Sequence, residues 1–247
     1  MKNMKPIVVW LVPPGPNPWK IIVILEELQL PYVIESFKFD NVKTPPWING
    51  HVPVIIDPNT NLTLWESAAI IQYLEEVYDT ENRLTCDSMQ ERHHLYQSLH
   101  FQMCGGGPYF GQVGWFKILN PERTPSVIER YTDEVKRVLG VLDTFLEGKT
   151  WLVGDRCTFA DLAFLPWNCP LDILLSTPEG KDPLAPWPNV QRWHRQMEYR
   201  PSWKRSMELR DKVVDAQGLN TMGMSKAILN IQEYKDFLAR TALQQGR

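Results

Sequence analysis

The sequence predicts an α/β unit followed by an all-helical one. Three observations support this. Short runs rich in Val and Ile, with turn residues between them, all lie before Trp65. After Asp79 the stretches that carry periodicity read as helices, with no convincing strand. Thr80 to Asp87 reads as the linker between the two. The expected organisation is therefore residues 1–79 as an α/β domain, 80–87 as linker and 88–247 as a helical domain.

The elements follow in order. Ile7 to Val12 is a short buried strand, ended by PPGPNP. From Trp19 to Leu30, Ile22, Ile24, Leu25 and Leu28 fall inward and Glu26 and Glu27 outward, an amphipathic helix. Asn17 is placed to act as its N-cap, with Pro18 at the first helical position. Pro31 stops that helix, and Tyr32 to Phe39 alternates as a second strand. Asn41 to His51 connects to a third strand at Val54 to Ile56. The turn residues Asp57 to Asn61 then return the chain through Leu62 to Trp65. A helix from Ser67 to Tyr78 carries Ile70, Ile71, Leu74 and Val77 on one side. This order suits a short mixed sheet with helices on both faces.

Beyond the linker, helices are expected over 88–104, 125–147, 158–175 and 190–207. A further helix is expected over 226–243.

Composition narrows the function. The 247 residues are 43% hydrophobic and 22% charged, an ordinary globular profile, and the net charge is −3. No broad basic field favours nucleic acid or an anionic membrane as partner. The apolar run near Met1 is too short for a signal-peptide core, and no segment approaches a membrane span. A soluble, cytoplasmic protein is expected. The cysteines Cys86, Cys104, Cys157 and Cys169 form no C-x-x-C pair and read as small apolar residues. His93 and His94 adjoin on a helix and so face different ways, which argues against a shared metal.

Chemistry gathers at three places. Pro53 interrupts a strand, where it removes a backbone donor. A strand start tolerates that; a cis Val52-Pro53 bond would also turn the Val52 amide and carbonyl out to meet an extended peptide. Glu66-Ser67 opens a helix. An acidic residue and a hydroxyl are routine in a first turn. A helix N-terminus with a Ser hydroxyl also binds a carboxylate, and Glu66 beside it an ammonium. Together these suit the head group of a free α-amino acid, as in a γ-glutamyl peptide such as glutathione. Asn17 is the third. Beyond capping, worth about 1 kcal/mol, it stands where a helix N-terminus would stabilise a thiolate. No cysteine lies in that loop, so a working thiol must come with the ligand.

In these features the chain resembles the glutathione transferases. VP at Val52-Pro53, Glu66-Ser67 in WESAAIIQYL, and LVGDRCTFADLAFLPW at Leu152 to Trp167 occur in the family's order. In the last of these, Thr158 and Asp161 match an N-capping box. The resemblance runs from Pro6 to about Arg210 and implies a thioredoxin-like domain followed by a helical bundle. GPNPWK at Gly15 to Lys20 and VIERYTDEV at Val127 to Val135 are similar to the fungal and bacterial class related to the yeast nitrogen-regulation protein. That likeness implies Asn17 at the glutathione sulfur. It places Val52 on the cysteine backbone, Glu66 and Ser67 on the γ-glutamyl end, and His51 and Lys43 near the glycine end. Arg130 is implied as a further glutathione contact. The loop before Val52 is shorter than usual, and Pro18 replaces a common Gly, removing one N–H donor.

CGGGPYFGQVGWF, Cys104 to Phe116, offers Tyr109, Phe110, Trp115 and Phe116 to a second, apolar substrate between the domains. Its three glycines, with no Lys-Ser/Thr after them, are not a phosphate loop; they predict a helix interruption that shapes a cleft. The resemblance implies a homodimer and a transferase acting on an apolar small molecule, in fungal secondary metabolism. Alternatives from the same thiolate are cis–trans isomerisation of a conjugated polyene and disulfide reduction. A non-catalytic, glutathione-binding regulatory protein is the alternative of another class.

Overall fold

The structure is a computed structural model that describes residues 4–37, 50–120, 122, 124–220, 226, 233 and 236. A four-stranded mixed sheet has the order β2-β1-β3-β4. Its strands are β1 (Ile7–Leu11), β2 (Tyr32–Ser36), β3 (Val54–Asp57) and β4 (Leu62–Trp65). β1 pairs with β2 in parallel, while β3 is antiparallel to both β1 and β4. Ile7, Val9 and Leu11 point to one face and are fully buried, as the period of two requires.

Helix α1 (Pro16–Leu28) crosses from β1 to β2 and ends on Gln29, whose φ of 56° takes the left-handed turn. It is apolar almost all round: Trp19 and Ile21 through Leu25 are buried. A helix of that kind needs cover on every side. The sheet provides one side, α2 (Ser67–Tyr78) another, and the helical half the rest. The two glutamates expected to face outward do not. Glu27 takes both Arg200 nitrogens at 2.6 and 2.7 Å together with Ser202 Oγ, and Glu26 pairs with Arg205 at 2.5 Å. They clamp α1 to the last helix.

The helical half runs α3 (Met89–Phe101), α4 (Gly107–Gly114), α5 (Pro125–Phe145), α6 (Phe159–Leu162), α7 (Leu165–Asn168), α8 (Leu171–Leu174), α9 (Pro188–Glu198) and α10 (Pro201–Ala216). Among the described residues it contains no regular strand. Two expected helices are broken. The stretch 158–175 becomes three short helices, because Pro166 and Pro170 cannot donate to a preceding turn. The stretch 190–207 divides before Pro201 into α9 and α10, since the residue before a proline is pushed out of the helical region. Arg200 there has ψ 134°.

The glycine-rich break expected after Cys104 is instead a widening. Gln102–Gly106 and Trp115–Leu119 are π-helical turns that carry α3 into α4 and beyond without interruption. The capping box is present, and Asp161 does more than cap. Fully buried, it accepts from Thr158 N at 2.8 Å, Thr158 Oγ1 at 2.7 Å, Leu152 N at 2.9 Å and Trp193 Nε1 at 2.9 Å. Four donors satisfy a carboxylate that burial alone would neutralise. The expected strand beyond Phe37, the segment 38–49 and most of 226–243 lie outside the described residues.

Candidate functional site

Three ends of chain meet beside the sheet. The β1–α1 turn brings Asn17, the approach to β3 brings His51, Val52 and Pro53, and the start of α2 brings Glu66 and Ser67. All six line one cleft of about 260 Å³. The Val52-Pro53 bond is cis. Val52 lies beyond the last pair of both β3 ladders, which begin at Val54, so its peptide groups are not used by the sheet.

Glu66 begins α2 with φ 72° and ψ 112°. Few residues with a Cβ are held there, and such positions gather at ligand sites. Ser67 follows, 2% exposed, and its hydroxyl touches Met103 Sδ at 3.4 Å.

Asn17 is not the N-cap. Gly15 occupies that position and Pro16 begins the helix, so Asn17 sits inside the first turn. Pro16 and Pro18 have no N–H, so the Asn17 amide is the first-turn donor left without an intrahelical partner. Its side chain is oriented from the helical half: Trp167 Nε1 donates to Asn17 Oδ1 at 2.9 Å. An indole N–H is a donor only, which assigns the acceptor and leaves both Nδ2 hydrogens to the cleft.

Trp167 lines a second, larger cleft of about 440 Å³. Pro14, Trp19, Phe110, Trp115, Ile118 and Trp203 also face it, with Arg210 and Asp172 as charged groups. The bond between Asn17 and Trp167 therefore spans the wall between the clefts. Gly111 and Gly114 line the larger one, and a Cβ at Gly107 would stand 3.4 Å from two Trp167 ring carbons.

Of the expected substrate aromatics, Phe110 and Trp115 line this cleft. Tyr109 and Phe116 do not; both rings pack on Tyr131 of α5, at 6.2 and 6.0 Å between centroids. Arg130 is exposed on α5 and is absent from the lining of either cleft. Lys43 lies outside the described residues.

Two neighbours of the site were not singled out in the sequence. One is Trp167, quoted only as the end of a folding motif. The other is Lys20, 1% exposed, one helical turn from Asn17. Its Nζ donates to Gln102 Oε1, meets Met103 Sδ at 3.3 Å and lies 5.9 Å from the centre of the Trp167 ring. Burial brings its pKa down from 10.5 to about 7, against an opposing pull from the Glu66 carboxylate. A lysine inside WKIIVIL was the available signal.

The cysteines do not furnish a thiol to the first cleft. Cys86 and Cys157 are buried with thiols pushed up by burial, and the Cys169 thiol donates to Leu165 O at 3.5 Å. Among the described residues no helix is long and apolar enough to cross a membrane.

Sheet, helical half and cleft together define a glutathione transferase fold. The glutathione S-transferase N-terminal domain family matches residues 14–77 and the C-terminal domain family residues 108–201. The chain belongs to the glutathione S-transferase family. It is 42% identical over 206 residues to the glutathione S-transferase-like protein gedE of Aspergillus terreus, covering 78% of this chain and 90% of that one. Its fold is similar to that of glutathione transferase URE2P6 from Phanerochaete chrysosporium, solved in complex with oxidised glutathione. The TM-score is 0.79 at 39% identity, with 86% and 100% of the two chains covered. Over 78% of its length it is also 33% identical to the URE2 protein of Candida albicans, of which the match covers 67%.

Proposed function

We propose that this protein is a glutathione transferase that directs the glutathione thiolate at an apolar electrophile. The observation that carries the reading is the Asn17–Trp167 bond between a polar cleft and an aromatic one. A tripeptide thiol seated in the first would present its sulfur at the wall of the second. A relative named as glutathione S-transferase-like and a neighbour solved with oxidised glutathione support the choice of ligand.

In this reading the N-terminus of α2 and the Ser67 hydroxyl take the γ-glutamyl carboxylate, and Glu66 takes its ammonium. The Val52 backbone pairs with the cysteinyl residue, and His51 stands at the glycine end. Asn17 donates from Nδ2 and from its backbone N–H to the sulfur. The thiolate then attacks an electrophilic carbon held among Phe110, Trp115 and Trp167; Tyr109 and Phe116 shape the wall behind them. A new C–S bond forms, and the displaced electron pair leaves with the leaving group or ends on a protonated carbon. The protein works as a cytoplasmic homodimer in fungal secondary metabolism.

The test is incubation with glutathione and a panel of apolar electrophiles and conjugated polyenes, after calorimetric measurement of glutathione binding. Conjugation depletes the thiol pool. Isomerisation changes the substrate and leaves the pool unchanged. Turnover of small disulfides identifies reduction. Binding without turnover supports the regulatory alternative, and absence of binding overturns the proposal. Light scattering in solution tests the dimer.

A further inference from the structure

Lys20 is a buried side chain that lines neither cleft. The residue is 1% exposed, and two of the groups its amine meets, Met103 and Trp167, touch Ser67 and Asn17 of the site. The Trp167 ring beside it holds Asn17. Met103, whose sulfur meets its Nζ, also receives the Ser67 hydroxyl. Gln102, fully buried in the π-helical turn, accepts from Nζ, while its own Nε2 has no hydrogen-bond partner among the described residues. A carboxamide in that position can serve either form of the amine. It accepts from an ammonium through Oε1, and after a half-turn it donates to a neutral amine through Nε2.

We propose that Lys20 carries the counter-charge of the bound glutathione thiolate: its buried amine takes up the proton the thiol loses, and the ammonium so formed holds Trp167, and through it Asn17, in place. This rests on the glutathione reading above. The step balances. The S–H bond breaks and its electron pair stays on sulfur; the proton passes through solvent to the nitrogen lone pair, and a neutral amine becomes an ammonium. No other reactant enters.

The charges around Lys20 fit this role. On α2, Glu66 acts on it, and the ligand's ammonium would offset that carboxylate. On the π-helical turn and on α7 it meets Gln102, Met103 and Trp167, none of which titrates. Several charged groups near this part of α1, α6 and α10 have partners of their own: Glu26 pairs with Arg205, Glu27 with Arg200, and Asp161 with Thr158, Leu152 and Trp193, while Arg210 of α10 lines the larger cleft with Trp167. A thiolate at Asn17, one turn along the same helix face, is the new negative charge that Lys20 would feel. Burial already places the amine at about 7, where such a charge can tip it.

Lys20 is thus a positioning residue, and proton balance tests it. Glutathione binding is measured by calorimetry in buffers of different ionisation enthalpy, just above neutral pH, with thiolate formation followed by ultraviolet absorbance. A free thiol with pKa about 8.5 is mostly protonated there, so forming the thiolate releases most of one proton. In the wild type the amine takes it up, and less than half a proton per site is expected to reach the buffer. In Lys20→Met, either most of a proton is released or the thiolate band is lost. The acid limb of kcat/KM also moves up by about one pH unit, a tenfold loss on its flank. Gln102→Leu keeps the amine but removes the carboxamide that accepts from the ammonium, and the same limb should move in the same direction. Release of most of a proton by the wild type, with the thiolate formed, overturns the proposal without any variant. Unchanged pH profiles in both variants overturn it as well. If the wild type binds no glutathione, the functional reading fails, and this proposal with it; if it binds with the wrong proton balance, only this one does.

Discussion

The indole N–H of Trp167 donates to the side-chain oxygen of Asn17 at 2.9 Å, across 150 positions of sequence. That bond ties the α/β half to the helical half at the wall shared by two clefts. It also decides which end of the Asn17 amide is left for the polar cleft. Trp167→Phe keeps the ring and removes the donor. A hydrogen bond of this kind is worth about 1 kcal/mol, so kcat/KM should fall about fivefold to tenfold, with glutathione affinity changed less. Asn17→Ala removes the donor to sulfur itself and should cost about 100-fold in kcat. Steady-state kinetics on both variants, at saturating and limiting glutathione, check the order of the two effects.

Glu66 presents a trade between stability and function. At φ 72° and ψ 112° its backbone is costly for any residue with a Cβ. Glu66→Gly relieves about 1–3 kcal/mol of strain and gives back about 0.5–1 kcal/mol in the entropy of the unfolded chain. A higher melting temperature is expected, together with at least a tenfold weaker glutathione complex. Thermal unfolding and calorimetry of the same preparation test the pair of outcomes; a variant that is both less stable and as tight a binder would contradict it.

The clamp of Glu27 on Arg200 and Ser202 is a partly buried charge pair between the halves, the Glu27 side chain being 11% exposed and that of Arg200 30%. Glu27→Gln leaves Arg200 partly unpaired and should destabilise by about 2–3 kcal/mol. Burial alone would raise the Glu27 pKa, but the hydrogen bonds from Arg200 and Ser202 and the charges of Arg200 and Arg83 hold it below the usual 4.5. A carboxylate with a lowered folded pKa contributes stability above the unfolded value. That contribution is lost as pH falls through the folded one. Urea midpoints between neutral and acid pH should therefore fall less steeply for Glu27→Gln than for the wild type.

Lys20 has the opposite sign. Its folded pKa, about 7, lies below the 10.5 of an exposed lysine. Between those values the unfolded chain binds the extra proton, so stability of the ligand-free protein rises with pH across that window. Below neutrality the full cost of the buried ammonium applies, about 1.36 kcal/mol for each unit of depression, or a few kcal/mol in all. Lys20→Met removes that dependence. The difference between wild type and variant, followed by denaturant titration from pH 6 to pH 10, should shift by about 2 kcal/mol or more in favour of the wild type. A constant difference would mean that the amine stays protonated throughout.

Asp161 serves folding, not chemistry. Its carboxylate accepts four hydrogen bonds inside the helical half, from Thr158, Leu152 and Trp193. Asp161→Ala orphans those donors and should cost about 3–5 kcal/mol. Material that refolds should keep its glutathione affinity, which separates the capping role from the site.

The residues that line the polar cleft were legible because each contradicts its local surroundings. Pro53 interrupts an apolar, strand-like run, Glu66-Ser67 opens an apolar helix, and Asn17 stands in a proline-rich turn. Each is a short-range conflict, which a single sequence displays. The element edges were less legible where prolines compete with periodicity. The apolar repeat of 158–175 reads as one helix, yet Pro166 and Pro170 divide it into three. Asn17 resembled an N-cap because a capping residue and a proline at the next position are a common pair; Gly15 and Pro16, two residues earlier, take those positions instead.

The sequence by itself determined what can be written along the chain: the strands and helices, the residues that open them, and the donors and acceptors a peptide thiol would meet. Tertiary structure alone decided which of these face one another. Trp167 is only the last residue of a folding motif until α7 is laid across α1. Lys20 is only the last residue of GPNPWK until the π-helical turn Gln102–Gly106 covers it. Tyr109 and Phe116 read as cleft residues until α5 draws them onto Tyr131. The reason is physical: periodicity encodes which face of an element is buried, whereas the partner of a buried polar group depends on where a distant element packs.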